Sequence, residues 1–133
     1  MNFIAAMLIK CGLQDEEAFW VFVQIIECIL PLDYYTMMAG VLVDQEVFFD
    51  MMQTKLPKLY KFFRKIDFDP KLVVFQWFVC MFSSFLDFNV SIPIYDYFML
   101  KGVKVTFLMA LSIFQTLQKC LLGLNDFGKT AHL

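Results

Sequence analysis

The chain has 133 residues, a length that suits one domain or part of a larger one. Its net charge of −2 does not suggest a nucleic-acid partner. Hydrophobic residues make up 60% of it, whereas a typical globular chain is about 45–50% apolar. This excess predicts that a membrane, a partner or another part of the same domain covers apolar surface that the chain cannot bury alone.

The apolar stretches are too short for the membrane interpretation to be favoured. The longest stretch without a charged side chain covers 15 residues, 72–86, and a spanning helix needs about 20. These lengths predict buried core helices. A membrane-associated helical protein remains an alternative interpretation. The first ten residues contain Lys10 and no small-residue cleavage site follows, so no secretory signal is expected.

The cysteines and the histidine do not form a ligand pattern. Cys11, Cys28, Cys80 and Cys120 are scattered, which predicts free buried thiols in a reducing compartment rather than disulfides or a zinc site. His132 is expected to be a solvated residue of the tail. We therefore predict no metal site, no cofactor and no catalytic residue within the chain.

Helix breakers divide the sequence into segments longer than typical strands, and no segment alternates apolar and polar residues over six positions. The predicted fold class is therefore all-α. In chain order, helices are predicted over 1–11, 16–30, 45–53, 58–66, 70–85, 90–100 and 104–122.

Capping residues predict where these helices begin and end. Asp15, Asp44 and Asn89 are the predicted N-caps, and the Asp69-Pro70 pair is expected to begin a central, nearly all-apolar helix. Gly123 is predicted to end the last helix, which leaves a short polar tail over 123–133.

A basic segment stands out from the rest of the chain. Six of the eleven cations lie within the 17 residues from Lys55 to Lys71. Lys58, Lys61 and Lys65 share one helical face of this segment. The simpler interpretation is the solvated face of an amphipathic helix, and the alternative is a docking patch for acidic lipid headgroups or an acidic protein surface.

A series of sequence blocks resembles the TBC domain of Rab GTPase-activating proteins. The blocks follow the family's order and are MNFIAA (1–6), EAFW (17–20), ILPLDYY (29–35), VDQEVF (43–48), KLPKL (55–59), FQWFVCMF (75–82), IYDYF (94–98), KGVKVTF (101–107) and ALSI (110–113). The resemblance implies that 1–122 are the C-terminal part of such a domain, a multi-helix lobe. It also implies structural family-motif residues, namely Asp44, Gln45, Trp77, Asp96 and Gly102.

The resemblance also implies that the catalytic groups of the family lie before this stretch. TBC domains use an arginine from an I-x-x-D-x-x-R motif and a glutamine from a Y-x-Q motif, and the second motif usually runs into a Met-Asn pair that matches Met1-Asn2. The single arginine of the chain, Arg64, has no aspartate three residues before it. The chain alone is therefore expected to be inactive, as part of an activator of another enzyme rather than an enzyme itself.

Three departures from the family pattern concern partner binding. Pro93 and Tyr95 stand where the family commonly has arginine and tryptophan, and Leu108 replaces a common arginine. These changes remove charged groups that hold the lobe together or face the GTPase. A non-catalytic TBC-like interaction module in a larger assembly is therefore the alternative to a Rab GTPase-activating regulator of vesicle trafficking.

The resemblance also predicts the partners of the chain, its location in the cell and the residues of its core. A Rab-family small GTPase and a missing N-terminal lobe are the expected partners, and the expected location is the cytoplasm, with peripheral contact to endomembranes as an option. Trp20, Trp77, Phe78 and Phe82 are predicted to lie in the core, and Trp77 is predicted to be the most buried of them.

Overall fold

The computed structural model describes the backbone of residues 2–130 and the side chains of residues 2–123. Regular structure in this part of the chain is entirely helical, which confirms the all-α prediction. The helices are α1 (Asn2–Lys10), α2 (Asp15–Val23, continued by a π-helical turn over Gln24–Ile29), α3 (Ala39–Lys55), α4 (Pro57–Lys65), α5 (Lys71–Cys80), α6 (Phe88–Lys101) and α7 (Lys104–Thr130).

One aromatic ring on α7 joins three other helices. The centroid of the Phe114 ring lies 5.2 Å from that of Trp77 on α5, 5.8 Å from that of Phe63 on α4 and 6.0 Å from that of Phe48 on α3. All four side chains are buried. Aromatic pairs at such distances bury large apolar areas and add a specific geometry, so this cluster organises the core of the chain.

The two tryptophans lie in opposite environments. Trp77 is 4% exposed, but Phe78 and Phe82 are more deeply buried, so the prediction that Trp77 is the most buried was wrong. Trp20 is 59% exposed, and its predicted place in the core was also wrong. Its helix, α2, packs mainly on α1 and on its own π-helical continuation, so no helix in the described part of the chain packs closely over its other side.

Several predicted caps are replaced by neighbouring residues. Gln14, not Asp15, caps α2, in a capping box in which the Gln14 N–H donates to Glu17 Oε2 at 2.9 Å. α6 begins after Asp87 rather than Asn89. α3 begins at Ala39, so Asp44 lies inside this helix and is not a cap.

Two predicted helix ends also differ. α5 ends at Cys80 instead of 85, because Met81 and Phe82 adopt left-handed φ angles of 48° and 63°. The Phe82 N–H then donates to the Trp77 carbonyl at 2.9 Å, which satisfies an end-of-helix acceptor. α7 continues through Gly123 to Thr130, since a glycine inside a helix costs only about 1 kcal/mol. His132 lies outside the described residues.

The thiols differ from the sequence prediction as well. Cys80 is buried, but Cys11, Cys28 and Cys120 are exposed, so the prediction that all four are buried was wrong. Cys11 follows the last turn of α1, and Cys120 lies beyond Phe114, the last buried side chain described on α7. No disulfide joins them in the described part of the chain.

One helix meets the length and composition of a membrane span, contrary to the sequence expectation. Residues Lys104–Gly123 of α7 are long and apolar enough to cross a membrane, and Lys104 and Lys119 are the charged residues among them. Core helices of soluble proteins share this length and composition. Val105, Ala110 and Phe114 place one side of α7 in the core, so length and composition alone do not assign it to a membrane.

Candidate functional site

Gln45 and Glu46 join α3 to the beginning of α5. The buried Gln45 side chain donates from Nε2 to the Lys71 carbonyl at 2.5 Å. Lys71 Nζ in turn lies 2.5 Å from Glu46 Oε1 at the surface, and this hydrogen bond is the main cause of the raised pKa of Lys71. Gln45 therefore acts as a structural tie between two helices, because its side-chain N–H is committed to the backbone of α5.

Asp44 lies beside Tyr34 in a partly enclosed position. Neither Asp44 Oδ2 nor the Tyr34 hydroxyl has a hydrogen-bond partner among the described residues. Burial raises the pKa of Asp44, and burial followed by the neighbouring Asp44 carboxylate raises the pKa of Tyr34. The fold therefore disfavours the charged form of both groups.

We expect Asp44→Asn to make the chain more stable at neutral pH. Because the folded-state pKa of Asp44 is raised, the folded chain binds more protons than the unfolded chain between the ordinary pKa of aspartate and the raised one. This contribution to stability is present below the ordinary pKa and is lost as pH rises through the raised pKa. Urea unfolding from about pH 4 to pH 7 should show a smaller fall in stability with pH for Asp44→Asn than for the wild type.

Asp50→Asn provides the matched control, because Asp50 is exposed on the same helix. An equal change in the pH dependence of both variants would contradict a special environment at Asp44. An Asp44→Asn chain less stable than the wild type at pH 7 would do the same.

The other family-motif residues lie apart from Asp44 and Gln45. Trp77 packs on the rings of Phe82, Phe85 and Phe114 with centroid distances of 5.2–5.7 Å. Gly102 has a φ of +75° and ends α6, a conformation that glycine adopts without strain. Asp96 is exposed on α6. The five residues are thus distributed over three helices and one turn, which is a structural pattern rather than a single site.

Lys58, Lys61 and Lys65 are all exposed on α4, and Leu59 and Phe63 are buried on the opposite side. The three side chains therefore share one solvent-facing surface, which we name the lysine face.

A charged cleft lies between α3 and the connection from α4 to α5, and the sequence reasoning missed it. Its volume is about 590 Å³, and Phe49, Tyr60 and Phe63 contribute aromatic walls. Its charged lining comprises Glu46, Asp50, Arg64, Asp67, Asp69 and Lys71. The local signal was the Asp67-Phe68-Asp69 triplet, which could not be placed opposite α3 without the fold. Among the described residues no group of three or more His, Cys, Asp or Glu is arranged to hold a metal ion.

An apolar surface lies uncovered on the first two helices. Phe3 and Ile9 of α1 and Phe19 and Trp20 of α2 are each 52–59% exposed. Beside them lies a groove of about 220 Å³, lined by Ala5, Ile9, Asp15, Ala18, Phe19 and Phe22. We call these four side chains and the groove together the α1–α2 ridge. Exposed apolar patches mark sites of interaction with proteins or membranes, ligand grooves or aggregation-prone surfaces.

The described part of the chain is therefore an all-helical lobe with an uncovered apolar ridge on its first two helices. The family model described as the Rab-GTPase-TBC domain matches residues 1–122. The chain belongs to this family.

Similar proteins include TBC1 domain family member 2B from Homo sapiens, 39% identical over 86% of this chain and 12% of the relative. TBC1 domain family member 2A from Bos taurus is 37% identical over 95% of this chain and 14% of the relative. Carabin from Mus musculus is 38% identical over 83% of this chain and 24% of the relative. The chain thus spans about an eighth to a quarter of the length of these relatives. No solved structure matches the chain.

Proposed function

We propose that this chain is the C-terminal part of the GTPase-activating domain of a regulator of Rab-family small GTPases in vesicle trafficking. The family match over residues 1–122 is the observation that carries the proposal. In this view the chain works in the cytoplasm together with the finger-bearing segment that precedes the matched region in complete TBC domains.

The side chains of this part do not replace the two fingers. Arg64 is exposed beside the charged cleft and has no aspartate three residues before it, so it does not belong to the arginine-finger motif. Gln45 is buried and committed to the Lys71 carbonyl. An arginine supplied to a GTPase accelerates hydrolysis by about 10³–10⁵, so its absence removes most of the activity.

The α1–α2 ridge supports a neighbour on the N-terminal side. α1 begins at Asn2, so a polypeptide preceding this helix would enter the fold beside Phe3. Phe3, Phe19 and Trp20 leave more than half of their surfaces exposed, and burying a large apolar side chain is worth about 1.5–3 kcal/mol. A preceding lobe that covers the ridge would gain this burial.

The departures at positions 93 and 95 favour a second candidate, a non-catalytic interaction module. Tyr95 is buried in the core, so it is not available to a partner at the surface. Pro93 is exposed inside α6 and carries no charge. A lobe with these changes could hold other parts of an assembly in place without stimulating GTP hydrolysis.

We expect the purified chain to leave GTP hydrolysis within about twofold of the intrinsic rate for every member of a Rab panel, because both fingers are absent. A single-turnover assay measures this directly. A fusion that places before residue 1 the stretch of TBC1 domain family member 2A that precedes its matched region should accelerate hydrolysis by about 10³ or more for at least one Rab.

The fusion separates the two candidate functions. Acceleration by the fusion supports a GTPase-activating role, and a well-folded but inactive fusion supports the interaction module. Acceleration of about 100-fold by the chain alone would contradict the absence of catalytic groups.

A further inference from the structure

The charge of the chain is strongly concentrated in one segment. Residues 51–66 contain five cations and no acidic residue, whereas the whole chain carries −2, so the other residues together carry −7. The lysine face lies at the centre of this segment, on α4. A positive surface of this kind on an otherwise acidic chain attracts an anionic partner and turns this side of the molecule toward it.

The lysine face is free of internal ion pairs. The single ion pair among the described side chains joins Lys71 to Glu46, so Lys58, Lys61 and Lys65 have no carboxylate partner within the described part of the chain. All three side chains are exposed and project from a helix that Leu59 and Phe63 anchor in the core. Their charges are therefore held at one rigid surface and remain available to a partner.

Apolar side chains flank the lysine face, and the charged cleft lies on a different side of α4. With 100° of rotation per residue, the half-buried Phe62 and the 49% exposed Ile66 follow the lysines on one side. Tyr60, Phe63 and Arg64, which line the charged cleft, are centred about 140° from the lysines. The acidic groups of the cleft thus point away from a surface that approaches the lysine face.

This combination fits a lipid surface better than a folded acidic protein. Lysine is a flexible point charge that suits diffuse anionic headgroups, whereas the bidentate recognition of carboxylates is the role of arginine. A basic helical face bordered by apolar side chains is the arrangement of helices that lie at the boundary between headgroups and acyl chains. We propose that α4 docks on anionic membranes through Lys58, Lys61 and Lys65, with Phe62 and Ile66 at its apolar border.

The test is cosedimentation of the purified chain with vesicles. Phosphatidylcholine vesicles are compared with vesicles that contain about 30% phosphatidylserine, at about 0.1 M salt. We expect binding only to the anionic vesicles. A lysine near such a surface strengthens binding about fivefold, so Lys58→Gln, Lys61→Gln and Lys65→Gln together should weaken it about 100-fold.

Two matched triple variants control for charge and for folding. Lys101, Lys104 and Lys119 are also exposed, and changing these three to Gln gives the same net charge but should alter binding by less than about threefold. Changing Lys58, Lys61 and Lys65 to Arg keeps the charge and should keep the binding. Helical circular dichroism verifies that each variant is folded.

Three results would overturn the proposal. One is equal binding to neutral and anionic vesicles. The second is an equal loss of binding in the two glutamine variants, which would indicate net charge rather than the lysine face. The third is lysine-dependent binding to polyglutamate without binding to the anionic vesicles, which would identify an acidic protein surface as the partner.

Discussion

Trp77→Ala should leave the chain unfolded or aggregated at ambient temperature. Trp77 is 4% exposed, and its ring packs on Phe82, Phe85 and Phe114, which come from two different parts of the chain. Removing a buried aromatic side chain costs about 3–5 kcal/mol, from lost transfer energy and from the cavity that remains. A complete domain has only about 5–15 kcal/mol of stability, and an apolar chain with an open ridge should have less.

Trp20→Ala is the control, because it removes the same side chain from an exposed position. Trp20 is 59% exposed and makes an edge-on contact with Phe19 at 5.2 Å, so its removal should cost less than about 1 kcal/mol. Urea unfolding followed by circular dichroism compares both variants with the wild type. Where Trp77→Ala is insoluble, Trp77→Phe gives a measurable, smaller loss.

The prediction is that Trp77→Ala loses much more unfolding free energy than Trp20→Ala. A Trp77→Ala chain within about 1 kcal/mol of the wild type would contradict the central place of this ring in the core. A Trp20→Ala chain that is as unstable as Trp77→Ala would show that Trp20 is also covered in solution.

The sequence predicted the number and order of the helices well, because prolines, glycines and the lengths of the apolar segments are local signals. It failed where helix ends depend on unusual backbone conformations. Met38, Met81 and Phe82 adopt left-handed φ angles, and such residues rarely do so. Their conformations are stabilised by the surrounding packing, which composition does not reveal.

The sequence also failed where a neighbour in space decides the environment. Trp20 has the composition of a core residue, but no described helix covers its side of α2. Asp44 resembles an N-cap in sequence, and only the fold places it beside Tyr34. The lysine face, by contrast, was predictable, since its three members follow the helical repeat within one short segment.

Gly40→Ala should destabilise the chain although alanine is the better helix former. A Cβ atom at position 40 would lie 2.8 Å from the Tyr34 Cα and 3.1 Å from Tyr34 Cδ2. The nearer atom belongs to the backbone and cannot rotate away. Overpacking of this kind costs about 1–3 kcal/mol, which exceeds the gain of up to about 1 kcal/mol in helix propensity.

The strain should spread along the connection between α2 and α3. Tyr34 is 1% exposed, and its ring packs edge-on against Tyr35 with 5.2 Å between the centroids. The Tyr35 hydroxyl donates to the Val79 carbonyl at 3.0 Å and so fastens this connection to α5. A displaced Tyr34 would therefore disturb a contact with the central helix as well as its own packing.

Gly123→Ala is the matched control with the opposite expected sign. Gly123 lies within α7, and a Cβ atom there would meet none of the described atoms within 4 Å beyond its chain neighbours and the backbone of its own helix. Alanine at this position should therefore stabilise the chain by up to about 1 kcal/mol through helix propensity alone. Thermal unfolding should give a lower Tm than the wild type for Gly40→Ala and an equal or higher Tm for Gly123→Ala. A rise in Tm for both variants would contradict the 2.8 Å approach of the Tyr34 backbone to position 40.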